Sequence, residues 1–178
     1  AISASDPNVL YTGSRGDGVY RSDDGGASWS KVNDGLDDHM SIRQLVVAPH
    51  DHDVVFGITT EGTAVRTADG GDSWAPVADL EGEALTTLSF APDDPDRVYA
   101  GGNGVVWQST DGGERWDALD VGDVHVVAVA VGPGEGDDRF LHLGTQSNGI
   151  AVLDDGEPVD VAADGLTDQR VIDVEQVP

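Results

Sequence analysis

The 178-residue chain carries 34 Asp and Glu against nine Lys and Arg, for a formal charge of −25, and has no cysteine. Disulfides and thiolate metal sites are therefore excluded, and the Lys/Arg clusters that give phosphate affinity are missing, so nucleic acid is not an expected partner. No run approaches the roughly 20 apolar residues of a membrane helix, and no basic-then-apolar leader is visible at the start, so no membrane span is expected and the compartment is left open.

Taken in order, the chain reads as short strand-like runs separated by polar turns. Ile2–Ala4 reads as the tail of an inner strand, followed by strands at Val9–Gly13, Gly18–Ser22 and Ser28–Val32. The second group is complete: Ile42–Ala48, Val54–Thr59, Ala64–Thr67 and Ser73–Val77. A third group copies it at Leu85–Ala91, Arg97–Gly101, Val105–Ser109 and Arg115–Leu119. The fourth has good strands at Val126–Val131, Arg139–Thr145 and Gly149–Leu153, with a weaker one at Val159–Val161. Val171–Pro178 then lines up with Ile42–Pro49 as one more inner strand. The repeats run over residues 1–40, 41–83, 84–123 and 124–169, with 170–178 as a closing inner strand of a single domain.

One octet recurs between the third and fourth strands. It is Ser22-Asp23-Asp24-Gly25-Gly26-Ala27-Ser28-Trp29, then Thr67 to Trp74, then Ser109 to Trp116, and the tryptophans lie 45 and 42 residues apart. A fixed period of this size signals stacked or radially arranged units. Asp-Gly between two β-type runs is a hairpin signal, because glycine reaches positive φ without a Cβ penalty. Asp24, Asp69 and Asp111 can accept N–H groups of their own turn, Ser22, Thr67 and Ser109 can do the same, and Gly26, Gly71 and Gly113 supply the turn. Trp29, Trp74 and Trp116 each return a large ring to the body. In the fourth repeat the octet has decayed to Leu153-Asp154-Asp155-Gly156-Glu157-Pro158.

The pattern S/T-x-D-G-G-x-x-W resembles the Asp-box (BNR) repeat of sialidases, sortilin-type receptors, some glycoside hydrolases and photosystem II assembly factors. That resemblance implies an all-β propeller of about four four-stranded antiparallel blades, with the boxes as structural hairpins at the blade periphery. Four blades could close on themselves, form part of a seven- or eight-bladed ring, or share one ring between two chains. A late strand completing the first blade would hide open sheet edges. The heavily acidic, lysine-poor composition resembles proteins of salt-in halophiles, whose surface charge repels itself at low salt.

Chemistry is harder to find. The arginine triad and Arg-Ile-Pro motif of sialidases are not assembled, and acid pairs mean little in so acidic a chain. His50-Asp51-His52-Asp53 is the one metal-like cluster, with His50 and His52 as weak candidates, yet alternate residues in a short turn seldom converge on one ion. Arg15-Gly16-Asp17 sits in a turn and is assigned no function. No metal or cofactor is expected. The reading is a non-catalytic binding or scaffold module holding a protein or glycan partner. The alternative is a glycoside hydrolase-like enzyme in which carboxylates from separate blades, Asp173 for instance, meet at a central cleft.

Overall fold

A computed structural model describes residues 1–132, 140–154, 157–162 and 171. The chain divides into two compact units, Ala1–Ala84 and Leu85–Pro178, and each is taken by itself.

In the first unit, β1 (Leu10–Gly13), β2 (Val19–Ser22) and β3 (Ser30–Lys31) form an antiparallel sheet in that order. Ile2 adds a single bridge to Leu10 at the β1 edge, so the expected inner strand is reduced to residues 1–3. The second sheet, β4 (Ile42–Ala48), β5 (Asp51–Thr59), β6 (Ala64–Thr67) and β7 (Ala75–Pro76), is a full meander. Its β-branched and aromatic positions are buried on both faces, Val55 and Val65 on one and Phe56 and Ile58 on the other. Val9, Tyr11, Val19, Ile42, Val55, Val65 and Trp74 make one core, so the two sheets bury their faces against each other.

In the second unit, β8 (Thr87–Ala91), β9 (Asp94–Gly101) and β10 (Asn103–Ser109) follow the same plan. The next strand departs from expectation. Rather than two strands split at residue 123, β11 runs continuously from Asp117 to Val131. Its first part pairs with β10 (Val105 opposite Asp120), and its last part pairs with β12 (Phe140–Thr145). Between them the register slips: Asn103 already faces His125, so the residues after Asp120 are bulged out. One strand thereby serves as the outer strand of the third repeat and the inner strand of the fourth. With β13 (Ile150–Asp154) and β14 (Glu157–Ala162) the result is one seven-stranded sheet. Of the closing inner strand expected at 170–178, only Val171 lies among the described residues.

Candidate functional site

The three boxes share one hydrogen-bond plan. In the first, Ser22 Oγ donates to Asp24 Oδ1 at 2.8 Å and accepts from Gly26 N–H at 2.9 Å. Asp24 also accepts from Ser28, through its N–H at 2.8 Å and its hydroxyl at 2.6 Å. Thr67, Asp69, Gly71 and Ser73 repeat these contacts at 2.6, 3.0, 2.9 and 2.6 Å. Ser109, Asp111 and Gly113 keep the frame, but Arg115 replaces the serine, so Asp111 accepts only the N–H groups of Glu114 and Arg115 and the Ser109 hydroxyl. The second glycine of each box has φ of 91°, 96° and 86°, a left-handed conformation that favours glycine.

These bonds hold the carboxylates ionised. The Ser28 hydroxyl and N–H, with Ser22, lower Asp24 to about 2, and the Ser73 and Thr67 hydroxyls do the same for Asp69. Asp111, held mainly by the Arg115 N–H, is also lowered. Acids so committed to their own turns are poorly suited to general acid–base work.

Each box is also tied to the turn that follows its inner strand. Gly25 N–H donates to Asn8 O, Gly70 N–H to Asp53 O and Gly112 N–H to Asp96 O, at 2.8–3.0 Å. Those turns are locked in turn by an aspartate: Asp6, Asp51 and Asp94 accept the N–H of Asn8, Asp53 and Asp96. The matching turns were visible in the sequence as aligned acidic stretches, but their bond to the box was not.

The second box is gripped by the first repeat. Trp74 is 4% exposed; its Nε1 donates to Val32 O at 2.9 Å and its N–H to Asp34 O at 2.8 Å. A Cβ on Gly71 would strike the Val32 side chain, and one on Gly70 would strike the Arg21 guanidinium. Arg21 lies across the Tyr11 ring, 5.6 Å from its centroid, and bonds Asp23 Oδ1, Asp53 Oδ1 and Gly70 O. The buried Tyr11 hydroxyl donates to His52 O at 2.9 Å and Gly70 O at 3.2 Å. Burial pushes this phenol up to about 12. Arg21 was not singled out from the sequence. Arg21 opposite Tyr11 recurs as Arg66 over Phe56, also at 5.6 Å, which is the signal that could have found it.

Trp29 is placed differently. It is 41% exposed, and its Nε1 returns to Gly26 O within its own box. Trp116 makes the same internal bond to Gly113 O but is 7% exposed. His50 is exposed, and His52 lies 3.6 Å from an Asp53 oxygen that Arg21 already engages. Asp51 is spent on its own turn, so the cluster does not converge, and among the described residues no group of three metal-ligating side chains forms. No described helix is long and apolar enough to cross a membrane. A cleft of about 170 Å³ opens beside β1, with Thr12 and Gly13 on one side, Ile42 to Leu45 on the other and Ala1 at its end.

Antiparallel meanders clasped by Asp-box hairpins, sheet against sheet, are the blades of a β-propeller. Solved propellers agree: the fold is similar to an ancestral GH74 enzyme (TM-score 0.72, 21% identity, 88% of this chain and 22% of that one). It is also similar to YCF48 from Cyanidioschyzon merolae (TM-score 0.58, 16% identity, 86% and 51%). The family described as Sortilin, neurotensin receptor 3 (Sortilin-Vps10) matches residues 17–153, and the chain belongs to it. Among curated relatives, the vacuolar protein sorting/targeting protein 10 of Pyricularia oryzae strain 70-15 is 36% identical over 98 residues, 53% of this chain and 6% of that protein. Its counterpart in Aspergillus clavatus is 32% identical over 75 residues, 40% and 5%. The chain thus spans about a twentieth of the length of these relatives.

Proposed function

We propose that the chain is a non-catalytic binding module whose partner is a protein, held at the propeller surface. Membership of the sortilin–Vps10 family carries this reading, since the matched relatives are named for protein sorting and targeting. The box chemistry is consistent with it: Asp24, Asp69 and Asp111 are saturated by their own turns and serve as clips. One similar fold, at a TM-score of 0.52 and 15% identity, is YCF48 bound to a D1 peptide, which illustrates a propeller of this kind accepting a peptide. The acidic surface is read as salt adaptation, keeping the chain hydrated and folded where counterions screen its self-repulsion.

The test is a binding and turnover comparison in about 2 M KCl, a salt level chosen to screen surface charge. Saturable binding to members of a peptide array, with no release of sugar from xyloglucan, is the expected result. Hydrolysis of a β-glucan that is lost on replacing paired carboxylates would overturn it in favour of the glycosidase alternative. Circular dichroism across the same salt range checks the adaptation: strand signal should weaken near 0.1 M KCl.

A further inference from the structure

Two dipeptides of the chain, Asn103-Gly104 and Asn148-Gly149, join an asparagine to a glycine. In that pairing a backbone nitrogen reaches the side-chain amide with the least obstruction, because glycine has no Cβ. The other two asparagines are committed elsewhere. Asn33 accepts Val19 N–H at 2.7 Å and donates to Asp17 O at 2.7 Å, and Asn8 Nδ2 donates to Asp6 Oδ1 at 3.1 Å. Both Asn-Gly asparagines are exposed, but they are held differently. Asn103 lies in β10 opposite His125 of β11, where ladder pairing fixes its backbone. Asn148 lies in the turn between β12 and β13.

That turn hangs from Thr145. The Thr145 N–H and hydroxyl donate to Gly149 O at 3.0 and 2.8 Å, and its Oγ1 accepts the Asn148 N–H at 2.9 Å. Both ends of the Asn148-Gly149 unit are thus tied to one residue, while the Asn148 side chain stands at the exposed tip. There the Ser147 hydroxyl donates to Asn148 Oδ1 at 2.7 Å. A donor on that oxygen makes Cγ more electrophilic and stabilises the negative charge that develops on the oxygen when a nucleophile adds. The first repeat has the same turn with an acid in place of the amide. Ser14 N–H donates to Gly18 O at 2.8 Å, Gly18 and Gly149 have φ of 77° and 78°, and Asp17 takes the place of Asn148. The turn shape therefore admits an aspartate.

We propose that Asn148 is a self-modification site, deamidated by the backbone nitrogen of Gly149 with the Ser147 hydroxyl polarising the amide. Gly149 N adds to Asn148 Cγ and forms a C–N bond. The Cγ–Nδ2 bond then breaks, and ammonia leaves with the proton that Gly149 N gives up. Water opens the resulting cyclic imide. Opening at Cγ gives aspartate, and the turn becomes the Asp-Gly turn of the first repeat. Opening at the backbone carbonyl gives isoaspartate, which routes the main chain through Cγ. That product lengthens the path between the two points held by Thr145, so the bonds from Thr145 to Gly149 O are lost. Either product adds a carboxylate to a chain already at −25.

Trypsin separates the two sites, since cuts after Arg97, Arg115, Arg139 and Arg170 give peptides that each hold a single asparagine. The folded protein is incubated at mildly alkaline pH in about 2 M KCl, which screens its surface charge, and the amide-to-acid mass shift is followed in both peptides. Asn148 should deamidate at least several-fold faster than Asn103 and yield isoaspartate, detected by isoaspartate-specific methylation. Ser147 is exposed, so Ser147→Ala should keep the circular dichroism signal while slowing the reaction several-fold, and Ser147→Thr should restore it. Equal rates at the two asparagines overturn the proposal, as does faster loss at Asn103. So does an Asn148 that deamidates only after unfolding in urea, or a Ser147→Ala rate equal to that of the unmodified protein. No readout depends on a bound partner, so these results stand apart from the binding-module reading.

Discussion

Trp74 and Trp29 occupy the same place in the same motif, yet the first sheet buries one and leaves the other 41% exposed. The box itself is built identically in both, with matching hydroxyl, carboxylate and N–H contacts. What differs is the neighbour. Val32, Asp34, Gly35 and Arg21 close over the second box, whereas among the described residues the first is held by its own turn, the Asn8 carbonyl and the Arg21–Asp23 pair. The octet's internal bonds are thus the same in the first and second boxes, and in the second the preceding sheet adds the socket that makes it a joint between sheets.

Substitution should widen that contrast. Trp74→Ala removes a buried ring and should cost about 3–5 kcal/mol in denaturant unfolding at high salt. Trp29→Ala should cost under about 1 kcal/mol, because its ring is already partly hydrated. Near-equal losses would mean that the two faces are covered alike. Gly35→Ala should come next, at about 3 kcal/mol, since φ is +83° and the added Cβ meets the Trp74 backbone. Equilibrium unfolding measures it, and a neutral result would remove Gly35 from the socket.

Tyr11→Phe deletes the hydroxyl donor shared between the His52 and Gly70 carbonyls, and Arg21 continues to serve Gly70 O, so about 1–2 kcal/mol should be lost. The folded phenol has the higher pKa, so its contribution is full below the unfolded value near 10 and falls away as pH rises to about 12. An alkaline unfolding transition displaced in Tyr11→Phe would show this.

The smallest effect lies within the boxes. Asp24 and Asp69 are depressed to about 2, so their contribution is present above the unfolded value near 4 and is lost as pH falls from there to about 2. Arg115→Ser should give Asp111 the hydroxyl partner it lacks and lower its pKa further, toward Asp24 and Asp69, in a carboxyl NMR titration. An unchanged Asp111 would mean that the backbone N–H groups alone set the ionisation.

Much of this was legible in the chain. The periodic tryptophans, the Asp-Gly turns and the alternating strands announced antiparallel blades, because turn chemistry and side-chain alternation are local properties of a few consecutive residues. Strand β4 came out at Ile42–Ala48 and β6 at Ala64–Thr67 for that reason. The continuity of β11 was not legible. The sequence reading ends one strand at Leu119 and starts the next at Val126, but pairing to β10 on one side and β12 on the other carries the strand across that gap as a bulge. The grip of Arg21 on Asp53 and Gly70, 32 and 49 residues away, was equally invisible. No local rule names the partner of a side chain that reaches across sheets.

The sequence by itself determined the repeat, the hairpins and the ionised box carboxylates, since each follows from residues within a few positions of one another. Only the tertiary structure decided which tryptophan is buried, because burial depends on what the neighbouring sheet presents.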